Sequence, residues 1–353
     1  IVPYIDIDLP ETALLKNQML MLDILANNDW ERPIYFTGGS YEEAEYIWMK
    51  KYLQLEGLVY KLVPIETDLG KENPYLMGRI DSDSMYDIVL QWDWGNSERT
   101  DIYHDPETRK NSISFRSNMA RLAEQLINEK KYDKAKIIMD LAIEKMPLDY
   151  FGYYSLLVPF VDGYYRIDEE GKARDLSQKI AYKYADRLEY FASLDTNTQY
   201  GLGEEIITEI ERYRVLVEAD LKHGEKSNLA LTLNQFIGAS LPFKYLYGDY
   251  EFYTSLVDVV EGYYLIDEIE LAQNLSTKIA NQYSERMELF AQFSPSNQEQ
   301  LQDRIKQEWS SYNYFLQLIN SFDDSVFFKT LEDQYNKNVA RFNSELDSIG
   351  TKE

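Results

Sequence analysis

The most unusual feature of this sequence is its tyrosine content, because the 353 residues include 30 Tyr beside 15 Phe and 5 Trp. A tyrosine has a flat apolar face and a polar hydroxyl, which suits stacking on sugars or binding peptides in a groove. Two tyrosine clusters supply our candidate binding residues, which are Tyr153, Tyr154, Tyr164, Tyr165, Tyr253, Tyr263 and Tyr264. The alternative role for each of them is packing between the helices of a repeat array.

A second candidate site is a short stretch that mixes aromatic side chains with charges of both signs. Trp30, Arg32 and Tyr35 lie where a predicted helix gives way to a predicted strand. Such a turn can face a glycan or another protein surface, so we include the three as candidate binding residues. The alternative is a buried structural turn in which Arg32 pairs with Asp29 or Glu31.

Metal and cofactor chemistry has little support in this sequence. The two histidines, His104 and His223, have no metal-ligand partner at helical spacing, and cysteine is absent. Nucleotide-binding glycine loops are also missing. We therefore predict no metal, no cofactor and no catalytic residue in this chain.

Two further motifs have simple structural interpretations. Gly38-Gly39-Ser40 could cradle an anion, but a strand-to-helix turn is the favoured interpretation. The aspartates of 81–87 lack the glycine and glutamate of a calcium-binding EF-hand loop. We expect Asp81 or Ser82 to cap a helix instead.

The charge balance limits the classes of partner. Lys and Arg number 36 against 61 Asp and Glu, so the formal net charge is −25. Such a surface repels phosphate backbones and anionic headgroups, which argues against nucleic-acid binding and peripheral membrane binding. The chain begins at Ile1 without Met, so we expect it to be a piece of a longer protein.

The pattern of apolar residues divides the chain near residue 110. Residues 1–110 are predicted to form a small α/β domain, with a helix over 14–28 and strands over 33–37 and 58–63. Three or so short strands make a poor core, so we expect this part to pack on the first helical hairpin.

Residues 111–353 have a helical period almost throughout. The hairpin over 119–147 matches the spacing of the 34-residue tetratricopeptide (TPR) pattern. Residues 163–192 align without gaps on 262–291, with 17 identities in 30 positions. The predicted fold is therefore mostly α, with a small N-terminal α/β domain followed by a TPR-like helical-hairpin solenoid.

Two segments carry a family resemblance. Residues 17–36, NQMLMLDILANNDWERPIYF, and 52–65, YLQLEGLVYKLVPI, resemble the region after the membrane part of bacterial polytopic proteins of the protein O-mannosyltransferase-like family. The resemblance implies a parent membrane glycosyltransferase that uses a lipid-linked sugar, with its catalytic acid among membrane helices that this chain lacks. It also implies a periplasmic location and two kinds of partner, namely the membrane-embedded part of the same polypeptide and an acceptor protein or glycan.

Three functions remain in consideration at this point. The favoured one is a non-catalytic periplasmic domain that mediates protein–protein or acceptor interaction. The alternative is a free-standing periplasmic or surface glycan-binding helical-repeat protein. A hydrolase that uses two carboxylates ranks last, because sequence alone cannot place two acids in one cleft.

Overall fold

The computed structural model describes residues 1–9, 13–37, 45–68, 77–223, 226–293, 295–322 and 326–350. The chain forms two compact units, Ile1–Glu170 and Gly171–Glu353. Helices predominate in both, and one small sheet lies near the N-terminus of the first unit. The predicted mostly α fold with a small N-terminal α/β region is therefore confirmed.

The first unit begins with the mixed region. Its elements are helix α1 (Lys16–Asn27), strand β1 (Tyr35–Thr37), a 3-10 helix (Glu45–Tyr52), strands β2 (Leu53–Glu56) and β3 (Val59–Leu62), and helices α2 (Ser82–Leu90), α3 (Pro106–Asn128), α4 (Tyr132–Lys145), α5 (Leu148–Phe151) and α6 (Val158–Arg166), with a second 3-10 helix (Tyr154–Leu157) before α6. The sheet is antiparallel, and β3 lies between β1 and β2.

The predicted α1, β1 and β3 are confirmed, whereas β2 was missed by sequence reasoning. β2 follows the 3-10 helix directly, so no turn signal separates the two elements. Gly57 (φ +66°) forms the tight turn from β2 to β3, a backbone conformation that glycine adopts at little cost. A β-carbon there would lie 3.1 Å from the indole ring of Trp92.

Helix α2 begins as its sequence predicts. The Asp81 side chain caps it by accepting a hydrogen bond from the backbone N–H of Ser84 at 3.0 Å. Asp83 in the first turn pairs with Lys131 and Lys134 at 2.8 and 2.7 Å. These two ion pairs join α2 to the start of α4.

The mixed region contacts the first helical hairpin, formed by α3 and α4, through α2, the β2–β3 turn and the segment before α2. Asn118 of α3 donates to the Gly57 carbonyl at 2.8 Å, and Arg121 donates to the Met77 carbonyl at 2.8 Å. The change of pattern near residue 110 thus coincides with the start of α3, while the compact unit continues to Glu170. The expected contact of residues 1–110 with this hairpin is therefore present, and it is made by α2 and by turns rather than by the strands themselves.

The second unit is helical throughout its described residues. Its elements are α7 (Glu170–Ala192, which starts at the boundary), α8 (Thr196–Gly201), α9 (Gly203–His223), α10 (Lys226–Ser240), a 3-10 helix (Leu241–Phe243), α11 (Lys244–Tyr247), α12 (Asp249–Thr254), α13 (Val257–Leu265), α14 (Ile269–Ala291), α15 (Pro295–Gln300), α16 (Gln302–Phe322) and α17 (Val326–Gly350). Pairs of neighbouring helices, such as α9 with α10 and α13 with α14, form hairpins.

The internal repeat is longer in the structure than in the sequence. Helices α6 to α9 and α13 to α16 have the same lengths of 9, 23, 6 and 21 residues. The two copies run over 158–223 and 257–322, so the second begins 99 residues after the first. Identity falls away outside 163–192 because helix packing needs apolar periodicity more than particular side chains.

Both copies turn between their first and second helices in the same way. Asp168 and Asp267 adopt positive φ values of 61° and 66°. The next residues, Glu169 and Glu268, each donate a backbone hydrogen bond of 2.9 Å to a carbonyl five residues earlier. This bond satisfies an end carbonyl of the preceding helix, so both Asp-Glu pairs are helix-terminating turns.

Candidate functional site

A cavity of about 540 Å³ lies near the N-terminus of the first unit. Four parts of the fold supply its walls: the N-terminal segment, α1, the turn after α1, and residues around the sheet. The lining residues are Val2, Pro3, Tyr4, Ile5, Ile7, Leu22, Leu25, Ala26, Asn28, Asp29, Trp30, Ile34, Met49 and Leu62. The volume falls within the range of small-molecule pockets, and the walls are largely aliphatic.

The N-terminal segment forms one wall through a simple alternation. Ile5 and Ile7 line the cavity and are partly buried, whereas Asp6 and Asp8 are exposed. This is the period of two expected for an extended chain with one apolar side. A hydrogen bond of 2.9 Å from the backbone N–H of Val2 to the Pro64 carbonyl ties the segment to the chain after β3.

Trp30 lies at the cavity in a strained turn. Asp29 and Trp30 have φ values of 44° and 60°, a left-handed conformation that costs about 1–2 kcal/mol for a residue with a β-carbon. The side chain of Asn28 donates to the Arg32 carbonyl at 2.8 Å, and the N–H of Glu31 donates to the Asn28 carbonyl at 2.8 Å. These bonds hold the turn, and Trp30 lines the cavity while remaining 53% exposed.

Tyr35 belongs to a polar row on the other side of the sheet. Strand register places Tyr35, Lys61 and Gln54 opposite one another across the three strands. Glu56 joins them, since it accepts from the Tyr35 hydroxyl at 3.0 Å and from the Gln54 amide at 2.8 Å. Lys61 Nζ lies 3.3 Å from Glu56 Oε1.

Burial and Glu56 shift the pKa values of two groups in this row, Tyr35 and Lys61. Burial and the hydrogen bond to Glu56 both raise the pKa of the Tyr35 hydroxyl. Burial alone would lower the pKa of Lys61, but the hydrogen bond and charge of Glu56 raise it. Both shifts keep the Tyr35 hydroxyl neutral and the Lys61 ammonium charged at neutral pH. Within the row the half-exposed Tyr35 ring and part of Lys61 reach the surface, whereas Gln54 and Glu56 are buried.

The outer face of α1 is apolar and exposed. In this helix Gln18 is the buried residue, while Met19, Leu20 and Ile24 are 54–61% exposed. Leu20 and Ile24 are four residues apart, so they lie on one line along the helix. Apolar residues on both the inner and outer sides of a helix are typical of one that is covered by a partner.

The tyrosines of the first unit divide between packing and surface. Tyr164 and Tyr165 are 1% and 9% exposed, and the Tyr164 hydroxyl donates to Asp140 at 2.7 Å. Tyr153 is 41% exposed in a left-handed conformation, and Tyr154 beside it is partly buried. Tyr164 and Tyr165 are thus core residues, and their burial favours the alternative role of packing between helices over ligand contact.

The tyrosines of the second unit follow the same division. Tyr263 and Tyr264 are each 5% exposed, and the Tyr264 ring stacks on Phe322 with centroids 5.3 Å apart. Tyr253 is partly exposed, with the Lys244 and Lys278 ammonium groups 5.4 and 5.8 Å from its ring centroid. Tyr263 and Tyr264 are therefore packing residues as well, because side chains buried to this extent are not accessible to a ligand in the folded unit.

The structure thus separates the three candidates of this stretch: Trp30 lines the cavity, Tyr35 belongs to the polar row, and the Arg32 side chain is exposed. Sequence reasoning missed the cavity wall formed by Ile5 and Ile7 and the polar groups of β2. The alternating Ile-Asp-Ile-Asp of 5–8 is the signal that could have found the wall.

The remaining candidate features are metal sites, the glycine-rich motif and membrane-spanning helices. Within the described residues, no group of three or more His, Cys, Asp or Glu could hold a metal ion. The Gly38-Gly39-Ser40 motif lies outside the described residues. Among the helices that the structure describes, none combines the length and apolar character needed to cross a bilayer.

Comparison with known protein families gives a match to the N-terminal part of the chain. No curated protein and no solved structure matches the chain. Residues 1–84 match the family described as TMEM260-associated domain 2. The matched residues include the cavity, α1 and the whole sheet. The N-terminal part of this chain is therefore similar to a membrane-protein-associated domain of the TMEM260 kind.

Proposed function

We propose that this chain is the non-catalytic periplasmic region of a membrane glycosyltransferase-like protein, and that its N-terminal domain docks on the membrane-embedded part of the same polypeptide. The observation that carries this proposal is the exposed apolar outer face of α1, which lies within the residues that match the TMEM260-associated family. Leaving such a face in water costs about 25 cal/mol for each Å² of apolar surface, and a partner removes that cost.

Charge favours a protein partner for this face over a lipid surface. The chain has a net charge of −25, and Asp23 and Asp29 lie on or beside α1. Anionic headgroups are repelled by such a surface, while an apolar protein surface with basic residues at its edge is complementary to it. The docking partner is accordingly a protein surface of the membrane-embedded part.

The helical region has the architecture of an interaction module. Its helices pair into hairpins, and a series of four helices with the same lengths occurs twice in the sequence at a spacing of 99 residues. TPR-like arrays bind peptides and proteins along their surfaces, so this region is assigned to holding the acceptor protein. Exposed aromatics are available there, such as Tyr200 and Tyr245, whose rings meet edge to face at 5.3 Å.

The polar row on the sheet favours a second candidate function, glycan binding. A half-exposed Tyr35 ring beside Lys61 and Glu56 offers stacking together with hydrogen-bond donors and acceptors. Calorimetric titration of the chain with an oligosaccharide panel tests this function. Binding that disappears in Tyr35→Ala and persists in Tyr182→Ala, a similarly exposed tyrosine on α7, supports it. A flat titration rejects it.

The experiment for the main proposal compares membranes that carry the full-length polypeptide with membranes that carry a version truncated just before Ile1, at matched expression. Loss of protein glycosylation together with retained hydrolysis of the lipid-linked sugar is the expected result, because the catalytic groups would remain while the acceptor is no longer held. Unchanged glycosyl transfer would show that the acceptor-holding role is wrong.

A further inference from the structure

We infer that the cavity beneath α1 is a binding site for an uncharged hydrocarbon chain, such as that of a fatty alcohol, an acyl ester or an isoprenoid alcohol. This site is separate from the outer face of α1 to which docking is assigned. Twelve of the fourteen residues that line the cavity are apolar or aromatic. Its volume of about 540 Å³ is large enough for a ligand rather than for a single water molecule.

The lining of the cavity suits a hydrocarbon chain. The segment from Val2 to Ile7, helix α1 and the residues around the sheet all contribute aliphatic side chains to it. An alkyl chain is stabilised by burial against such groups, at about 25 cal/mol for each Å² of apolar surface removed from water.

The charges around the cavity select an uncharged ligand. Asp29 lines it, and the exposed Asp6 and Asp8 alternate with Ile5 and Ile7 along its wall. Neither a lysine nor an arginine is among the lining residues. A terminal carboxylate or phosphate would therefore lie near fixed negative charge without a cationic partner, whereas a hydroxyl or ester end would not.

The turn at the end of α1 supplies an independent argument. Two consecutive residues with side chains, Asp29 and Trp30, are held in left-handed backbone conformations. The surrounding hydrogen bonds maintain this strain, and the result is that an aromatic side chain forms part of the cavity wall while staying half exposed. Backbone strain of this kind concentrates at ligand clamps. Trp30 is accordingly a contact residue at the entrance.

Fluorescence quenching of Trp30 tests the site directly. The probe is 11-bromo-1-undecanol, whose bromine quenches a nearby indole, added to the full chain. We expect saturable quenching of about one fifth of the tryptophan emission, since the chain has 5 Trp. The same titration of Trp30→Phe is expected to show none. Equal quenching of the two proteins, or no saturable quenching of the wild type, would overturn the inference.

Two comparisons test the chemistry of the ligand. The charged analogue 11-bromoundecanoate is expected to bind at least tenfold more weakly than the alcohol, and equal affinity would contradict the role of the acidic rim. Displacement of the probe by 1-decanol or by farnesol supports the inference and identifies the straight or the isoprenoid chain as the better fit. Displacement by neither would contradict it.

Wall variants complete the test. Ile5→Glu adds a carboxylate to the wall and is expected to weaken probe binding at least tenfold. Ala26→Leu fills part of the cavity from α1 and is also expected to weaken probe binding at least tenfold. Since the two substitutions lie in different segments, a local folding defect in one segment cannot explain both results. Ile137→Glu, on the exposed side of α4, is the matched control and is expected to bind the probe like the wild type. Normal binding by both wall variants would overturn the site.

Discussion

The Tyr184 ring stacks on the Tyr213 ring with centroids 5.1 Å apart and planes inclined by 15°. The same arrangement recurs 99 residues later, where Tyr283 stacks on Tyr312 at 4.9 Å and 10°. In each copy the stack joins the long second helix of the repeat to its fourth helix. A stacked tyrosine pair is therefore common to both copies of the repeat, and these four tyrosines are structural residues of the second unit.

This role predicts opposite effects for two changes at Tyr213. Its hydroxyl is buried and has no hydrogen-bond partner among the described residues, and burial raises its pKa. Tyr213→Phe keeps the stack and is expected to leave the free energy of unfolding unchanged or to increase it by up to about 1 kcal/mol. Tyr213→Ala is expected to lower it by about 3–5 kcal/mol. Urea unfolding measures both, and a marked loss in Tyr213→Phe would contradict the assignment.

Because α13 approaches α10 closely at Gly262, even a methyl side chain at this position is expected to destabilise the protein. A β-carbon at Gly262 would lie 2.8 Å from Leu233 Cδ1. We expect Gly262→Ala to destabilise the protein by about 1–3 kcal/mol, although alanine is the better helix former. The control is Gly238→Ala in α10, which meets nothing within 4 Å and is expected to stabilise by about 0.5–1 kcal/mol.

A double mutant identifies the cause of that cost. Leu233→Ala removes the atoms that the new methyl group would meet. If overpacking is the cause, the Gly262→Ala effect measured in the Leu233→Ala background should shrink by most of its value. An undiminished effect would show that the clash with Leu233 is not responsible.

A buried carboxylate makes the second unit sensitive to pH. Asp220 is 1% exposed and accepts hydrogen bonds from the Ser177 and Thr232 hydroxyls, each at 2.7 Å. Burial raises its pKa, although these bonds act in the opposite direction. The pKa of this carboxyl is therefore higher in the native state than its ordinary value of 3.8. Because of this difference, the free energy of unfolding falls as the pH rises from 3.8 through the native pKa. Asp220→Asn is expected to remove this component.

Urea unfolding of the wild type and Asp220→Asn at several pH values between 4 and 7 checks this prediction. As the pH rises, the free energy of unfolding of Asp220→Asn should increase relative to that of the wild type. Asp220→Ala is the comparison that removes the acceptor of the buried Ser177 hydroxyl, at a cost of about 1–3 kcal/mol, while the Thr232 hydroxyl keeps the Asn228 carbonyl at 3.0 Å. A pH-independent difference between wild type and Asp220→Asn would count against the raised pKa.

The ion pairs between α2 and α4 predict the opposite pH dependence in the first unit. Hydrogen bonds from Lys131 and then Lys134 lower the pKa of Asp83 to about 2. Those from Gln125, Lys131 and Ser82 lower the pKa of Glu129 to about 2. Because both native values lie below the ordinary 3.8 and 4.5, the stabilisation is present at neutral pH and is lost as pH falls towards 2.

Lys131→Met tests this dependence. The variant is expected to be less stable than the wild type at pH 7, with a difference that narrows progressively at pH 4 and pH 2.5. Lys110→Met, which removes a lysine that lies 4.0 Å from Glu107 on the surface of α3, serves as the control and should show little difference at any pH. A difference for Lys131→Met that stays constant across the range would contradict the account.

The elements that the sequence predicted well are those with a long, regular period or a clear terminal signal. α1, α2 and the repeat are of this kind. β2 was missed because its four residues follow a helix without a turn. The buried pairs Tyr164–Tyr165 and Tyr263–Tyr264 illustrate the limit at the site, since composition shows that an aromatic is present and only packing shows whether a ligand can reach it. The cavity is lined by residues that are distant in sequence, such as Ile5 and Leu62, so no local pattern shows it.

The most direct measurement of the central claim is binding of this chain, added in solution, to membranes that carry the parent polypeptide truncated just before Ile1. Ile24→Glu, which places a charge on the outer face of α1, is expected to weaken binding at least tenfold. Ile137→Glu, a comparably exposed isoleucine on α4, is expected to bind like the wild type. Equal binding by Ile24→Glu and the wild type would contradict docking through α1.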